Sequence, residues 1–309
     1  MTQSTTQILM IRPANFGFNA ETAENNAFQS LPDGQTSLQI QESALIEFDA
    51  MVEKLAQNNI QVLVVEDTQK PIKPDAIFPN NWISTHQNGA IITYPMWAKN
   101  RRIERREDIV ELIIDKFRTN NRYSFEFYEE EDEPMFLEGT GSMIIDHKNN
   151  IVYACRSPRT DARLLDKFSV LMDMENIIFN ATDAQGQEIY HTNVMMAIGL
   201  DFVVICLDSV QNEVSKKKLL DSFARTHKQV VDITLAQMEH FAGNMLEVLS
   251  IDGKRYLVMS ETAYNALTTK QIETLQGLTN LLPISIPTIE KYGGGSVRCM
   301  MAEIFLPKK

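Results

Sequence analysis

One small unit recurs along this chain, and that recurrence limits the fold more than any other feature. "NWISTHQNGAIITYP" is followed by an amphipathic stretch and then "YSFEFY". "EGTGSMIIDHKNNIVYACR" leads in the same way to "NIIFN", "HTNVMMAIGLDFVVICLD" to "QVVDIT", and "NMLEVLSIDGKRYLVMS" to "LLPISIP". Each unit reads strand–turn–strand–helix–strand, with "HQNG", "HKNN", "GLD" and "DGK" as the hairpin turns. The units begin at Asn81, Glu138, His191 and Asn244, and a fifth begins at Cys299, in steps of 57, 53, 53 and 55 residues. The fifth has only its first strand. Its remainder lies at the other end of the sequence, as "ILMIRP", a helix over 42–59 and "QVLVVE". A period near 55 residues predicts radial repetition: five ββαβ units around an axis, with the termini sharing one blade. The competing explanation is that loosely similar α/β units recur by chance.

Hydrophobic spacing supports the unit plan. It predicts helices over 42–59, 100–118, 160–172, 211–226 and 261–276, with Leu45, Phe48, Val52 and Leu55 tracing the apolar face of the first. Strands are expected over 8–12, 61–66, 90–94, 142–146, 151–155, 194–198, 202–207, 245–250, 255–259 and 299–306. The 309 residues then form a single α/β domain, 1–309.

A net charge of −12 argues against nucleic acid or anionic lipid as the main partner. The start, "MTQSTTQILMIRP", lacks a basic region followed by an apolar core, so no secretory signal is expected. "NVMMAIGLDFVVICL" is interrupted by Asp201 and is too short to span a bilayer. Three cysteines make no disulfide framework, and the cytoplasm is the expected compartment. Self-association into a homo-oligomer stays open.

The unit starts carry chemistry. Cys299, His191 and Glu138 occupy equivalent positions of three units and would ring one end of a central channel. A free thiol, with a pKa near 8.5, needs help to become a thiolate near neutrality. An imidazolium can give that help and then protonate a leaving nitrogen, while a carboxylate behind it keeps it oriented and charged. Gly293, Gly294 and Gly295 would give the backbone before Cys299 room to approach a ligand. Cys299 could equally be a buried thiol in a last strand, the role that suits Cys155 and Cys206. His86 and His147 fall in hairpin turns, and His227 and His240 fall near helix ends. The run "YEEEDEP", Glu129 to Glu133, reads as a solvated loop that could steer cations.

The ordered set "FLEGTGS", "YHTN" and "GGGSVRC" resembles the guanidine-modifying enzymes, a superfamily that includes arginine deiminases, dimethylarginine dimethylaminohydrolases and glycine amidinotransferases. The resemblance covers about residues 8–307 and implies the five-bladed α/β propeller, or pentein, fold. It implies Cys299 as nucleophile, His191 as general acid and base, and Glu138 as its partner. Asp75, in "PDAIFPNNW", falls where the family contacts the substrate α-amino group, and Asn81 where deiminases grip the guanidinium. "NRRIER" resembles the family's double-arginine motif, which implies Arg101 or Arg102 as a ligand of the α-carboxylate. "SPRTD" implies Arg159 on the same group. A solvated helix start, with pairs such as Arg101–Glu104 and Arg105–Asp108, remains the alternative for "RRIERRED".

Two departures bear on the substrate. Deiminases have aspartates where this chain has Asn81 and Asn193. Two carboxylates suit a guanidinium cation. An amide both donates and accepts, and so suits a neutral ureido group with its C=O and NH₂. An asparagine NH₂ would also stabilise the oxyanion formed on attack, a donor typically worth about 3–4 kcal/mol of barrier. The expected reaction is therefore hydrolysis of L-citrulline to ornithine, CO₂ and ammonia, with no cofactor or metal implied. Arginine or a substituted arginine in the same site is the first alternative. A non-catalytic propeller that binds an amino acid or a protein is the second.

Overall fold

The computed structural model describes residues 2–309 and contains five three-stranded sheets. β3 (Ile83–Thr85), β4 (Ala90–Thr93) and β5 (Asn121–Ser124) form the first. β6 (Ile144–Asp146), β7 (Ile151–Cys155) and β8 (Glu175–Phe179) form the second. β9 (Met196–Ile198), β10 (Phe202–Ile205) and β11 (Gln229–Asp232) form the third, and β12 (Leu246–Leu249), β13 (Arg255–Ser260) and β14 (Asn280–Ile284) the fourth. In each, the first two strands pair antiparallel through a hairpin and the third returns parallel to the second after a helical crossover. The fifth sheet joins the ends of the sequence. β1 (Gln7–Arg12) lies between β15 (Ala302–Glu303), to which it is antiparallel, and β2 (Gln61–Glu66), to which it is parallel. This is the pentein propeller. The first strands are innermost, since Ile145, Ile198, Glu247 and Glu303 from four blades line one small central cavity.

The crossover helices cover the outer faces of the sheets. Ser37–Gln57 buries Ile40, Ala44, Phe48, Met51 and Leu55 at i, i+4, i+8, i+11 and i+15, the stripe that a helix packed on a sheet needs. It starts ahead of the expected 42–59, because Thr36 and Gln39 form a capping box. The helix expected over 261–276 is two, Glu261–Ala266 and Thr269–Gln276, because Thr268 caps the second with its own box. The one expected over 100–118 is a 3₁₀ helix, Lys99–Glu104, followed by Glu107–Lys116. Strands expected over 142–146 and 194–198 begin later, after single helical turns at Gly139–Ser142 and Thr192–Met195. The strand expected over 299–306 shrinks to Ala302–Glu303, and Cys299 lies in the turn before it.

No helix of the described residues is long and apolar enough to cross a membrane.

Candidate active site

The turn before each first strand brings Asn81, Glu138, His191, Asn244 and Cys299 to one end of the ring, all at most 5% exposed. Blades are tied together beneath them. The Thr192 hydroxyl donates to the Ser142 carbonyl (2.6 Å), and the Ser142 hydroxyl donates to the Arg159 carbonyl (2.8 Å). Of the three glycines before Cys299, Gly293 ends the helix Pro287–Gly293. Gly294 is the one that requires its freedom, with φ of 64°.

His191 Nε2 lies 2.7 Å from Glu138 Oε2, and the other Glu138 oxygen accepts the Trp97 backbone N–H (2.9 Å). Burial works to raise Glu138, but Arg159, 3.6 Å away, and then His191 bring it down to about 2. For His191 burial prevails over the attraction of Glu138, and its pKa falls to about 4. The expected resident imidazolium is therefore absent: His191 is neutral at neutral pH. A carboxylate can only accept, so Nε2 carries the proton and Nδ1 the lone pair. Nδ1 has no hydrogen-bond partner among the described residues, and the ring lines the cavity that Cys299 lines.

The Cys299 sulfur takes two amide donors, Asn193 Nδ2 and Asn244 Nδ2, each at 3.3 Å. Asn193, expected on the substrate, is instead held against this sulfur, and its Oδ1 is buried without a partner. Cys155 and Cys206 are core residues, and burial pushes their thiols up to about 12 and about 11.

Asp75, Asn81, Arg101 and Arg159 complete the cavity wall. Arg101 makes a two-pronged pair with Glu104 (2.9 and 2.8 Å) and donates from Nη1 to Asn81 Oδ1 (2.9 Å). A guanidinium only donates, so this bond fixes the Asn81 amide with its NH₂ directed elsewhere. That Nδ2 is buried and unpaired. A Cβ on Gly141 would lie 2.4 Å from it and 2.8 Å from His191 Nδ1, so both groups crowd the same small space. Asp75 Oδ2 accepts from Asn19 Nδ2 (2.7 Å) and Thr22 Oγ1 (3.2 Å), while Oδ1 is buried without a partner. Burial raises the Asp75 pKa against the pull of Arg101.

Arg102, the other expected carboxylate ligand, is outside the cavity, donating to the Met96 carbonyl (3.1 Å) and pairing with Glu130. Successive side chains of a 3₁₀ helix diverge by about 120°, so only one of this pair faces inward. The acidic run is not wholly solvated either: Glu129 is buried against Arg105, which pairs with it rather than with Asp108. His86 and His147, expected in hairpin turns, are buried at the hairpin ends.

Segment 13–36 covers the site. Besides Asn19 and Thr22 on Asp75, Asn25 Oδ1 accepts from Arg159 Nε (2.9 Å) and the Thr22 carbonyl from Arg159 Nη2 (3.0 Å). The Arg159 guanidinium also lies over Tyr190, 4.8 Å from its ring centroid. The space left beneath this cover is about 20 Å³, room for a single water. The sequence assigned no role to Asn244 or to the covering residues. Asn244 was nevertheless within reach of sequence reasoning, since it opens the fourth unit in the register of Cys299.

Chemically, the array combines a thiol held by amide donors, an imidazole with a free lone pair backed by a carboxylate, and a charged end formed by Asp75, Arg101 and Arg159. The five-bladed fold with this array defines a protein of the guanidine-modifying pentein superfamily. A family model for N,N-dimethylarginine dimethylhydrolase of the eukaryotic type matches residues 12–306, and the chain belongs to that family of hydrolases. No curated protein matches the chain in sequence. Among solved structures, the N-terminal domain of ArgZ, an arginine dihydrolase from the Ornithine-Ammonia Cycle in Cyanobacteria, is 14% identical over 97% of this chain and 98% of that one, with a TM-score of 0.74. Unliganded AgrE is similar at 14% identity and TM-score 0.75, over 98% of this chain and 40% of that one. A dimethylarginine dimethylaminohydrolase variant captured as an adduct with S-methyl-L-thiocitrulline is 14% identical over 97% of this chain and all of that one, with a TM-score of 0.67.

Proposed function

We propose that this protein hydrolyses the ureido group of a free amino acid, converting L-citrulline and water to ornithine, CO₂ and ammonia. The observation that supports this most is the orientation of Asn81. Arg101 holds its oxygen, which leaves an NH₂ donor unpaired beside His191. Every nitrogen of a guanidinium is a donor or has no available lone pair, so it offers that NH₂ nothing to bind. A ureido group offers its carbonyl oxygen. The unpaired Asp75 Oδ1 suits the α-ammonium, and Arg101 and Arg159 suit the α-carboxylate.

In this mechanism His191 Nδ1 takes the Cys299 thiol proton, and the thiolate attacks the ureido carbon. Asn81 Nδ2 stabilises the negative charge that forms on the oxygen. The proton passes from His191 to the departing nitrogen, the C–N bond breaks, and the carbamoyl group remains on sulfur. His191, neutral again and held by Glu138, draws a proton from water, which attacks that carbon and frees Cys299. The carbamic acid released breaks down to CO₂ and an amine or ammonia.

A second reading, arginine as substrate, is favoured by the arginine dihydrolase ArgZ among the structural neighbours. Steady-state rates on both amino acids separate the two. A charge-assisted hydrogen bond is worth about 1.5–3 kcal/mol, and Asn81 supplies no carboxylate to the headgroup end. The expected preference for citrulline is thus about 10- to 10²-fold in kcat/KM. Asn81→Asp keeps an oxygen for Arg101 but removes the donor, and is expected to lower citrulline turnover by about two orders of magnitude. Arginine consumed as fast as citrulline by the unaltered protein would overturn the ureido assignment.

A further inference from the structure

We infer that Asn244 is a catalytic residue of this site, its side-chain NH₂ donating to the Cys299 sulfur and stabilising the thiolate that forms when the thiol proton leaves. The inference rests on the proposed thiolate mechanism but not on the identity of the substrate.

Three contacts fix the amide. The Arg298 backbone N–H donates to Asn244 Oδ1 (3.1 Å), and Nδ2 donates to the Asn193 carbonyl (3.0 Å) and to Cys299 Sγ (3.3 Å). A flipped amide would set NH₂ against N–H and oxygen against oxygen, so the group facing the sulfur is a donor. Asn193 Nδ2 is at the same distance, but its Oδ1 has no partner, and nothing pins that amide in the same way. The turn that delivers Asn244 carries strain: Phe241, whose carbonyl accepts the Asn244 N–H (2.8 Å), has φ of 60°, a left-handed conformation costly for an aromatic residue.

The charged and titratable groups around the sulfur leave this task open. His191 is neutral. Tyr190 is a neutral phenol, Asp75 disfavours a second negative charge, and Arg101 and Arg159 favour it from across the cavity. Glu138 is behind His191. The guanidinium of Arg298, adjacent in sequence, is turned to the Met301 carbonyl (2.9 Å) and Glu303 (3.1 Å). A hydrogen bond donated to an ionised sulfur is stronger than one donated to a thiol, so the amide favours S–H cleavage, with the proton passing to His191 Nδ1 and the electron pair staying on sulfur.

The test is an ultraviolet titration of the Cys299 thiolate in the full chain, read as the difference from Cys299→Ala, which needs neither substrate nor access for a reagent. Asn244→Ala is expected to raise the midpoint by about one pH unit, and Asn244→Asp, which keeps the acceptor for Arg298 but sets an anion on the sulfur, by more. Citrulline turnover of Asn244→Ala should fall about tenfold at neutral pH and recover as pH passes the new midpoint, which a merely structural defect would not do. His191→Asn should move the midpoint less than Asn244→Ala does. An unchanged midpoint in folded Asn244→Asp or Asn244→Ala overturns the inference, as does a larger shift in His191→Asn. Failure of citrulline as substrate leaves the titration unaffected, so the two readings fail separately.

Discussion

Gly141 shows how little slack the site has at the level of single residues. Its backbone is ordinary helix, so alanine is conformationally acceptable there, yet the added methyl would meet Asn81 Nδ2 at 2.4 Å and His191 Nδ1 at 2.8 Å. Neither neighbour can swing away cheaply, since Arg101 holds one and Glu138 the other. Gly141→Ala is therefore expected to fold and to lose about 10²-fold in kcat, the usual cost of displacing reacting groups by about 1 Å. Calorimetry alongside steady-state kinetics checks this, and a variant of normal rate would mean the two groups are free to move. At this scale the sequence was informative wherever register carried the meaning. Cys299, His191 and Glu138 could be placed together from sequence because each begins a unit. The hydrogen-bonding sense of Asn81 was not legible, because it is set by Arg101, which no spacing rule connects to it. Nor was the neutrality of His191, which follows from burial rather than from its neighbours in sequence.

Among the elements, strands and helices were legible from their periods, and their ends were not, because side-chain caps at Thr36 and Thr268 decide them. Arg101 and Arg102 could not be told apart while the segment was read as the start of a long helix. The 3₁₀ geometry of Lys99–Glu104 separates them. Segment 13–36 was silent in sequence, since it has no repeating pattern and binds the site through Asn19, Thr22 and Asn25 rather than through a buried stripe. The space beneath it is about 20 Å³, so the free amino acid proposed as substrate would enter only if this segment lifted. Limited proteolysis is expected to cut first within 13–36, and Asn25→Ala, which removes a partner of Arg159, is expected to speed that cut several-fold. Equal cleavage rates in the two proteins would show that the Arg159 contact does not hold the cover down.

For the molecule as a whole, the period of the units carried the architecture, but the coupling between blades was visible only in three dimensions. His86 and His147 illustrate this: each reads as a hairpin-turn residue, yet they are buried together, with ring centroids 6.3 Å apart. His86 Nε2 is 2.8 Å from the Ser84 hydroxyl, and burial lowers its pKa from an ordinary 6.5 to about 4. A depressed histidine stays neutral when folded and takes up a proton when unfolded. The stability it contributes is complete above pH 6.5 and is lost as pH falls toward about 4, by up to about 1.4 kcal/mol per pH unit. His86→Gln keeps a group for Ser84 and removes this proton. Melting temperatures measured from neutral pH to pH 5 should fall less steeply for the variant, and parallel curves would exclude the effect. The blade shared by the two ends of the sequence also bears on how the protein is made. β1 precedes the strands of the other four blades in synthesis and waits for β15, its antiparallel partner, until those blades have been made. Four blades can assemble on a growing chain, but a chain stopped anywhere before Ala302 keeps β1 with one bare edge and lacks the pairing that anchors the turn of Cys299. Unfinished copies would therefore be both inert and adhesive at that edge.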